Sequence, residues 1–165
     1  MKKAMVVLLG CALAFGFASI ARIANAAPAI QAFDPDSMAR IVQSQKGKPF
    51  ALVIWSLDCQ YCQTSLRALA REKRKHKQLK VITLATDPLD DAQAAALLRK
   101  RLGSAGLTAD AWAFGSAAPE RLRYAIDAGW HGEMPRSYWF NAAGERVPYS
   151  GVLTPAMIAR LLAGS

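Results

Sequence analysis

The pattern of apolar positions along the chain predicts two buried strands, each followed by a helix. Residues 50–55 are apolar at every position and residues 80–86 at most positions, which is typical of strands covered on both faces. Apolar residues then recur at helical spacing after the first strand. A second helix is predicted over 92–102, with acidic residues before its first turn and Gly103 at its end.

Shorter elements complete the pattern on both sides of these two units. They are a helix after Asp36-Ser37, a strand at 111–114, a helix from Pro119, a β-hairpin over 137–149 that turns at 141–144, and a last helix from Thr154-Pro155. The order strand, helix, strand, helix, then helix, strand, strand, helix predicts an α/β fold. In such a fold a central mixed sheet carries helices on both faces.

The first 26 residues have the pattern of a secretory signal peptide. Lys2-Lys3 is followed by apolar or small residues over 4–21, and Ala24-Asn25-Ala26 has the small-x-small pattern of a cleavage site. An uncleaved anchor is the alternative, because an apolar run of 18 residues falls within the roughly 17–25 residues that span a bilayer. A lipoprotein signal at Cys11 is disfavoured, because the apolar segment continues well beyond that residue.

These features predict an exported, periplasmic protein with one folded domain. We expect a signal peptide or anchor at 1–26, a linker at 27–35 and the domain at 36–165. If the signal is not cleaved, residues 4–21 tether the domain to the membrane.

Cys59-Gln60-Tyr61-Cys62 lies directly between a predicted strand and a predicted helix. A thiol at the first turn of a helix feels the positive end of the helix dipole and unpaired backbone N–H groups, which favour the thiolate. A structural disulfide usually closes a longer loop than this pair does. A zinc site needs about four ligands, and His76 and His131 lack ligand spacing to the cysteines. The spacing therefore favours a redox-active pair and no metal site.

The charge balance is basic, with 21 Lys and Arg residues against 12 Asp and Glu. Without the basic residues of the predicted signal peptide, 18 remain against 12, and many lie in the run 71–77. This run is interpreted either as the solvated end of a helix or as a docking patch for an acidic partner or anionic lipid headgroups. Nucleic acid is not expected as a partner, because no aromatic residues interleave with the run.

With these features the chain resembles thioredoxin-fold proteins, specifically the exported TlpA/ResA-like thiol-disulfide oxidoreductases. The resemblance spans roughly residues 36–163. It rests on the strand with the CxxC motif at 51–62, the strand at 81–87, the loop Gly132-Glu133-Met134-Pro135, the hairpin at 138–146 and the closing helix. It implies a thioredoxin-like fold, with a central mixed β-sheet flanked by helices. It also implies the extra strand and helix of the TlpA-like branch, around 105–120.

The resemblance implies a mechanism as well. Cys59 is expected to attack a substrate disulfide first, and Cys62 to resolve the mixed disulfide and release reduced substrate. Pro135 matches a family proline that has a cis peptide bond and faces the disulfide. Such a bond leaves the backbone of Met134 free to pair with an extended substrate segment.

Four further residues near the motif are singled out. Trp55 and Tyr61 are candidates for an apolar rim that binds substrate, and core packing is the alternative for Trp55. Asp58 stands where the family commonly has Trp, and its carboxylate is expected to raise the pKa of Cys59 against the effect of the helix dipole. Val53 occupies the place of the buried acid of thioredoxins.

The sequence therefore predicts an exported enzyme that exchanges disulfides with partner proteins and needs no cofactor. The expected direction is that of a reductant in cytochrome c or copper-site maturation, re-reduced by a membrane electron donor. An oxidant would use the same two cysteines. A copper-binding or copper-delivery module is the alternative from another class, since thiolates are soft ligands suited to Cu(I). A redox-silent interaction protein is the third hypothesis.

Overall fold

The structure, a computed structural model, describes residues 29–164. The signal peptide and membrane tether expected from residues 1–26 lie outside the described residues. In chain order the elements are β1 (Gln31–Phe33), α1 (Ser37–Ser44), β2 (Phe50–Trp55), α2 (Gln60–Lys75), β3 (Val81–Pro88), α3 (Ala92–Ala105), β4 (Ala111–Phe114), α4 (Pro119–Ile126), β5 (Arg136–Phe140), β6 (Arg146–Ser150) and α5 (Pro155–Ala163). None of the helices in this part of the chain is long and apolar enough to span a membrane.

The strands form one mixed sheet in the order β1-β4-β3-β2-β5-β6. The first four strands of this order are parallel to one another, whereas β5 runs antiparallel to β2 and β6 antiparallel to β5. In the middle of the sheet Val53 lies opposite Thr83 on one side and Ser137 on the other. The predicted α/β fold with a central mixed sheet is confirmed.

Helices cover both faces of the sheet, which explains why β2 is apolar at every position. Val53 and Trp55 point to the face covered by α2, α3 and α5, where they join Leu66 and Leu98. The alternate residues of β2 point to the face covered by α1 and α4, where Leu122 packs. Among the described residues, both core layers are built from residues 30–161. A chain that starts at residue 27 therefore keeps both layers.

The end of α3 differs from the prediction. Gly103 was expected to end this helix, but it lies inside α3, and the helix ends at Gly106 in the left-handed conformation with φ of 68°. The amide of Leu107 then donates to the carbonyl oxygen of Leu102, which closes the last turn. Two glycines lie close together here, and the one that adopts positive φ stops the helix.

A further difference concerns the range 27–35, which the sequence analysis assigns to a linker. The structure places β1 within it, at the outer side of the sheet beside β4. Phe33 is fully buried, and its carbonyl oxygen accepts a hydrogen bond from the amide of Gly115 at 2.9 Å. A strand of three residues is too short to show an alternating pattern. The other outer strand is β6, whose Pro148 lies opposite Tyr138.

Candidate active site

The CxxC motif lies where β2 ends and α2 begins, and its cysteines form a disulfide. The two sulfur atoms are 2.03 Å apart and the two Cα atoms 5.2 Å apart. Cys62 is only 1% exposed and belongs to the core, whereas Cys59 is half-buried. The sulfur of Cys59 is therefore the one that another molecule can reach.

The sulfur of Cys59 caps the N-terminus of α2. Cys59 is the residue before the first turn, and its Sγ accepts a hydrogen bond from the amide of Cys62 at 3.1 Å. The helix that follows has 16 residues, with Lys73, Arg74 and Lys75 in its last turn. The positive end of its dipole lies at Cys59, which favours the thiolate once the disulfide is opened.

Two side chains from different elements hold the segment that leads into the motif. Asp87 Oδ2 accepts a hydrogen bond from the amide of Leu57 at 3.0 Å. On the other side, Gln63 Nε2 donates to the carbonyl oxygens of Ser56 at 3.3 Å and Leu57 at 3.5 Å. We call residues 56–59, together with residues 87–91 that follow the neighbouring strand β3, the disulfide end of the sheet.

The carboxyl group of Asp87 has a pKa above its ordinary value. Partial burial is the largest cause, and the negative charge of Asp58 adds to it. The hydrogen bond from Leu57 acts in the opposite direction but does not cancel the shift. Asp58 itself is exposed, directly before Cys59. Four carboxyl groups thus lie at the disulfide end, those of Asp58, Asp87, Asp90 and Asp91.

The Met134–Pro135 peptide bond is cis, as the resemblance implies. Pro135 is buried, and its carbonyl oxygen accepts a hydrogen bond from the amide of Gly151 at 2.9 Å. Met134 is half-buried and packs against the core layer that contains Cys62. Within residues 29–164 the backbone of Met134 has no hydrogen-bond partner. Its N–H and C=O groups are therefore available to another chain.

An ion-pair network fixes the loop that carries Pro135. Asp127 Oδ2 accepts a hydrogen bond from the Tyr138 hydroxyl at 2.8 Å and pairs with the Arg136 guanidinium at 3.2 Å. The other oxygen of Asp127 lies 3.4 Å from Arg146 Nη2. Arg136 also pairs with Glu133 at 3.0 Å. Both ends of the loop are thereby attached to β5 and β6.

The pKa values of this network show which ionisation states it holds. Burial raises the pKa of Asp127, but the hydrogen bonds from Tyr138 and Gly129 and the charges of Arg146 and Arg136 outweigh it, so the net pKa is lowered. The pKa of Tyr138 is raised to about 12, mainly because its hydroxyl is buried. The pKa of Glu133 is also lowered, so the network consists of two carboxylates, a neutral phenol and two guanidinium groups at neutral pH.

Trp55 is not part of an exposed rim. It is 0% exposed and belongs to the core layer beneath α2, because alternate residues of β2 point to that face. The predicted role of Trp55 in substrate binding is therefore wrong, and core packing is correct.

Tyr61 is 65% exposed on the first turn of α2, where a partner can reach it. Val53 is buried beneath the motif helix, and the hydroxyl of its neighbour Thr83 has no hydrogen-bond partner among the described residues.

A groove that the sequence analysis missed runs along the motif on the side of α3. It has a volume of about 440 Å³ and is lined by Leu57, Asp58, Leu97, Lys100, Arg101 and Ser104. Leu97 is 47% exposed although it is a large apolar residue. Leu97 lies outside the buried face of α3. An apolar residue on the polar face of a helix is the sequence signal that could have identified the groove.

Three other functional residues were also missed, namely Asp87, Gln63 and Asp127. Asp87 is the last residue of the predicted strand at 81–87, and the sequence analysis gave it no role. Its position could have been found from the topology, since the carboxyl ends of neighbouring parallel strands meet at one end of a sheet. His131 is exposed in its loop. Across the described residues, no group of three or more His, Cys, Asp or Glu side chains could hold a metal ion.

The architecture and the cis-proline loop opposite a helix-capping disulfide define a thioredoxin-like fold. Solved structures bear this out. The chain is similar to a secreted disulfide oxidoreductase of Mycobacterium tuberculosis homologous to E. coli DsbE, with 14% identity and a TM-score of 0.58 over 74% of this chain and 86% of that one. It is also similar to StoA from Bacillus subtilis, with 19% identity and a TM-score of 0.51 over 71% and 84%.

A third similar structure is a DsbF homologue from Corynebacterium diphtheriae, with 10% identity and a TM-score of 0.59 over 75% of this chain and 76% of that one. No protein-family model and no curated protein sequence matches the chain. At these identities the similarity establishes the fold.

Proposed function

We propose that the protein is an exported thiol-disulfide oxidoreductase that exchanges disulfides with partner proteins through Cys59 and Cys62. The observation that carries this proposal is the asymmetry of the pair. One sulfur caps a helix N-terminus at the surface, and the other is buried one turn further along the same helix. An attacking thiolate and a protected resolving thiol need this arrangement.

The reaction follows from the positions of the two sulfurs. In the reduced protein, the Cys59 thiolate attacks one sulfur of a substrate disulfide, and the other substrate sulfur leaves as a thiolate. Cys62 then loses its proton and attacks the Cys59 sulfur, which releases the second substrate sulfur. Two electrons pass to the substrate, and the protein is left with the Cys59–Cys62 disulfide. An electron donor in the membrane returns two electrons and completes the cycle.

The substrate segment is held beside Pro135. Met134 offers an unpaired backbone N–H and C=O to an extended chain, so the segment adds one short strand-like pairing at this loop. Tyr61 presents its exposed ring on the neighbouring first turn of α2 and supplies apolar contact. The anchoring of the loop by Asp127 and Arg136 holds this docking position in place.

The biological setting is proposed from the resemblance to the TlpA/ResA-like branch. In that setting the protein is a periplasmic reductant in cytochrome c or copper-site maturation. Residues 1–26 export it, and residues 4–21 tether it to the membrane if they are not removed. The similarity to a secreted disulfide oxidoreductase supports the export.

The first experiment is to measure the reduction potential of the Cys59–Cys62 pair by equilibration against thiol buffers. A value near that of thioredoxin, about −270 mV, is expected for a reductant. A value near about −120 mV would reverse the direction to disulfide formation. If the pair does not titrate as a two-electron couple and the reduced protein retains Cu(I) against glutathione, the copper module replaces the oxidoreductase.

A second experiment tests the two roles with matched variants. Cys62→Ser is expected to accumulate mixed disulfides between Cys59 and substrate proteins, because the resolving thiol is missing. Cys59→Ser differs by the same single atom and should accumulate none, since Cys62 is buried. Equal trapping by both variants would contradict the assigned order of attack.

A further inference from the structure

The end of the sheet opposite the disulfide carries basic side chains that have no acidic partner. We call Lys46, Lys48, Lys73, Arg74 and Lys77 the basic end. All except the half-buried Lys73 are exposed, and none of them lies within ion-pair distance of a carboxylate in residues 29–164. Five positive charges therefore face solvent without compensation.

Two neighbouring lysines do have acidic partners. Lys75 is paired with Glu72 at 2.8 Å, and Lys80 with Asp110 at 2.6 Å. The local carboxylates are therefore already occupied by other lysines. Unpaired charge at this density raises the free energy of the domain through self-repulsion, and an external anionic partner would relieve it.

The topology brings these residues together from two segments. Helices α1 and α2 lie on opposite faces of the sheet, but both start at the disulfide end and run back along it, so the loops that follow them lie at the amino ends of β2 and β3. A cavity lined by Gln45, Lys48, Gln78 and Lys80, among others, shows that the two connecting loops face each other. The 16 residues of α2 separate this end from Cys59 by about 24 Å.

Two apolar cavities flank the cations. One has a volume of about 390 Å³, with Phe50, Leu79 and Trp139 in its lining. The other has about 500 Å³ and is lined in part by Met38 and Val42. Lys46 and Lys48 of the basic end line the second cavity, whereas the first is lined by Lys80, which pairs with Asp110. A surface that combines free cations with shallow apolar depressions matches a lipid headgroup region, in which phosphates lie above acyl chains.

The start of the folded domain favours a membrane over an acidic protein as the occupant. Strand β1 is parallel to β4, β3 and β2, so Gln31 lies at the same end of the sheet as the basic residues. The apolar run 4–21 precedes residue 29 by eight positions. Eight residues reach at most about 28 Å when fully extended. Whenever this run is in the bilayer, the chain enters the domain within about 28 Å of the membrane, at the same end of the sheet as the basic residues.

We infer that the basic end binds the surface of a membrane containing anionic phospholipids. Docked in this way, the domain points Cys59, Tyr61 and the Met134 loop away from the bilayer toward partners in solution. The inference does not depend on the redox activity of the cysteines, and the two can fail separately.

The test uses the domain from residue 27 onward and sedimentation with lipid vesicles. Binding is expected to vesicles of phosphatidylglycerol and phosphatidylcholine and not to phosphatidylcholine alone, and about 0.5 M salt should abolish it. The triple variant Lys46→Gln, Lys48→Gln, Lys77→Gln is expected to lower the partition coefficient on the order of 100-fold, about fivefold for each charge.

The matched control removes three positive charges elsewhere. Arg99, Lys100 and Arg101 are exposed on α3, and Lys100 and Arg101 line the groove beside Asp58. Changing all three to Gln is expected to lower the partition coefficient by less than about fivefold. Equal decreases in the partition coefficients of the two triple variants would show that net charge alone attracts the domain to the vesicles. That result would overturn the proposal.

Two other outcomes would also overturn it. One is the absence of wild-type binding to the anionic vesicles. The other is selective binding to immobilised poly-glutamate without binding to vesicles, which would assign the basic end to an acidic protein. Circular dichroism of both triples shows whether a loss reflects unfolding, and single Lys48→Gln and Lys77→Gln variants repeat the test if a triple does not fold.

Discussion

The two ends of the sheet use charge in opposite ways. At the disulfide end, carboxylates are built into the structure. Asp87 holds the amide of Leu57, and Asp91 caps α3 by accepting from the amides of Gln93 and Ala94. At the basic end, the cations have no such partners in the described chain. At the disulfide end, carboxylates therefore form hydrogen bonds within the fold, whereas at the basic end the charges face solvent.

The helix directions explain much of this separation. Each helix that follows a parallel strand starts at the disulfide end, where acidic residues are favourable, and finishes at the other end, where basic residues are favourable. Asp36 and Asp91 stand before the first turns of α1 and α3, and Lys73 and Arg74 lie in the last turn of α2. Because these helices run in the same direction, the preference of each helix for acidic residues at its start and basic residues at its end separates the two charges to opposite ends of the domain.

The largest effect on stability is expected at the loop that carries Pro135. Asp127→Ala removes the acceptor of Tyr138 and the partner of Arg136, both of which are largely buried. The free energy of unfolding should fall by about 2–3 kcal/mol in urea titrations. Asp127→Asn keeps one acceptor for the Tyr138 hydroxyl and should lose less. Equal losses would show that the charge, and not the hydrogen bond, dominates.

The same residue gives a pH dependence with a definite sign. The pKa of Asp127 is lowered in the folded protein, so its stabilising contribution is present above the unfolded value of about 3.9. It is lost as the pH falls through the folded pKa. Urea titrations between about pH 5 and pH 2 should show a steeper loss of stability in the wild type than in Asp127→Asn. Parallel curves would contradict the assignment.

A smaller effect is expected at Asp87, which tests the disulfide end directly. Asp87→Ala leaves the amide of Leu57 without its acceptor and should cost about 1–2 kcal/mol. Burial raises the pKa of Asp87, so its ionised form is disfavoured in the folded state and its contribution to stability falls as the pH rises through the folded pKa.

Asp87→Asn is the matched variant, because it keeps an oxygen acceptor and removes the charge. At pH 7 its free energy of unfolding should equal or exceed that of the wild type. A loss as large as that of Asp87→Ala would mean that the charge of Asp87 is needed to hold the motif.

The smallest effect is expected at the basic end. Lys48→Gln and Lys77→Gln should each change the free energy of unfolding by less than about 0.5 kcal/mol, because neither lysine has a partner in the fold. The reduction potential of Cys59–Cys62 should not change, since about 24 Å of helix and solvent separate the charges from the sulfurs. A shift in the potential would show that the two ends are coupled.

Most of the fold could be predicted from the sequence because its central elements have strong local signals. The apolar run of β2, the strand at 111–114 and the proline at the start of α4 were all placed correctly. The end of α3 could not be placed, because two nearby glycines offer the same signal. Strand β1 was missed, since its three residues are ordered by pairing with residues of β4 that are 81 positions away in the chain.

The candidate site also has parts that the local sequence predicts and parts that it does not. The motif and the capping of α2 follow from residues close in sequence, whereas the cis bond before Pro135 was implied by the resemblance to thioredoxin-fold proteins. The hydrogen bond from Leu57 to Asp87 joins residues 30 positions apart, and no local pattern indicates it. Trp55 shows a different limit, because a strand that is apolar throughout does not reveal which covered face a given residue points to.

The outer strands of the sheet also affect whether copies of the protein associate with one another. An extended segment that approaches a protein can pair with an unprotected outer strand of its sheet. The outer strand β1 offers only three residues, and Pro148 deprives β6 of one backbone donor. Pairing is thereby discouraged along the sides of the sheet, while the backbone of Met134 remains open. Under the proposed function, an extended substrate segment would pair next to the disulfide, while the outer strands would offer little for a second copy of the chain to pair with.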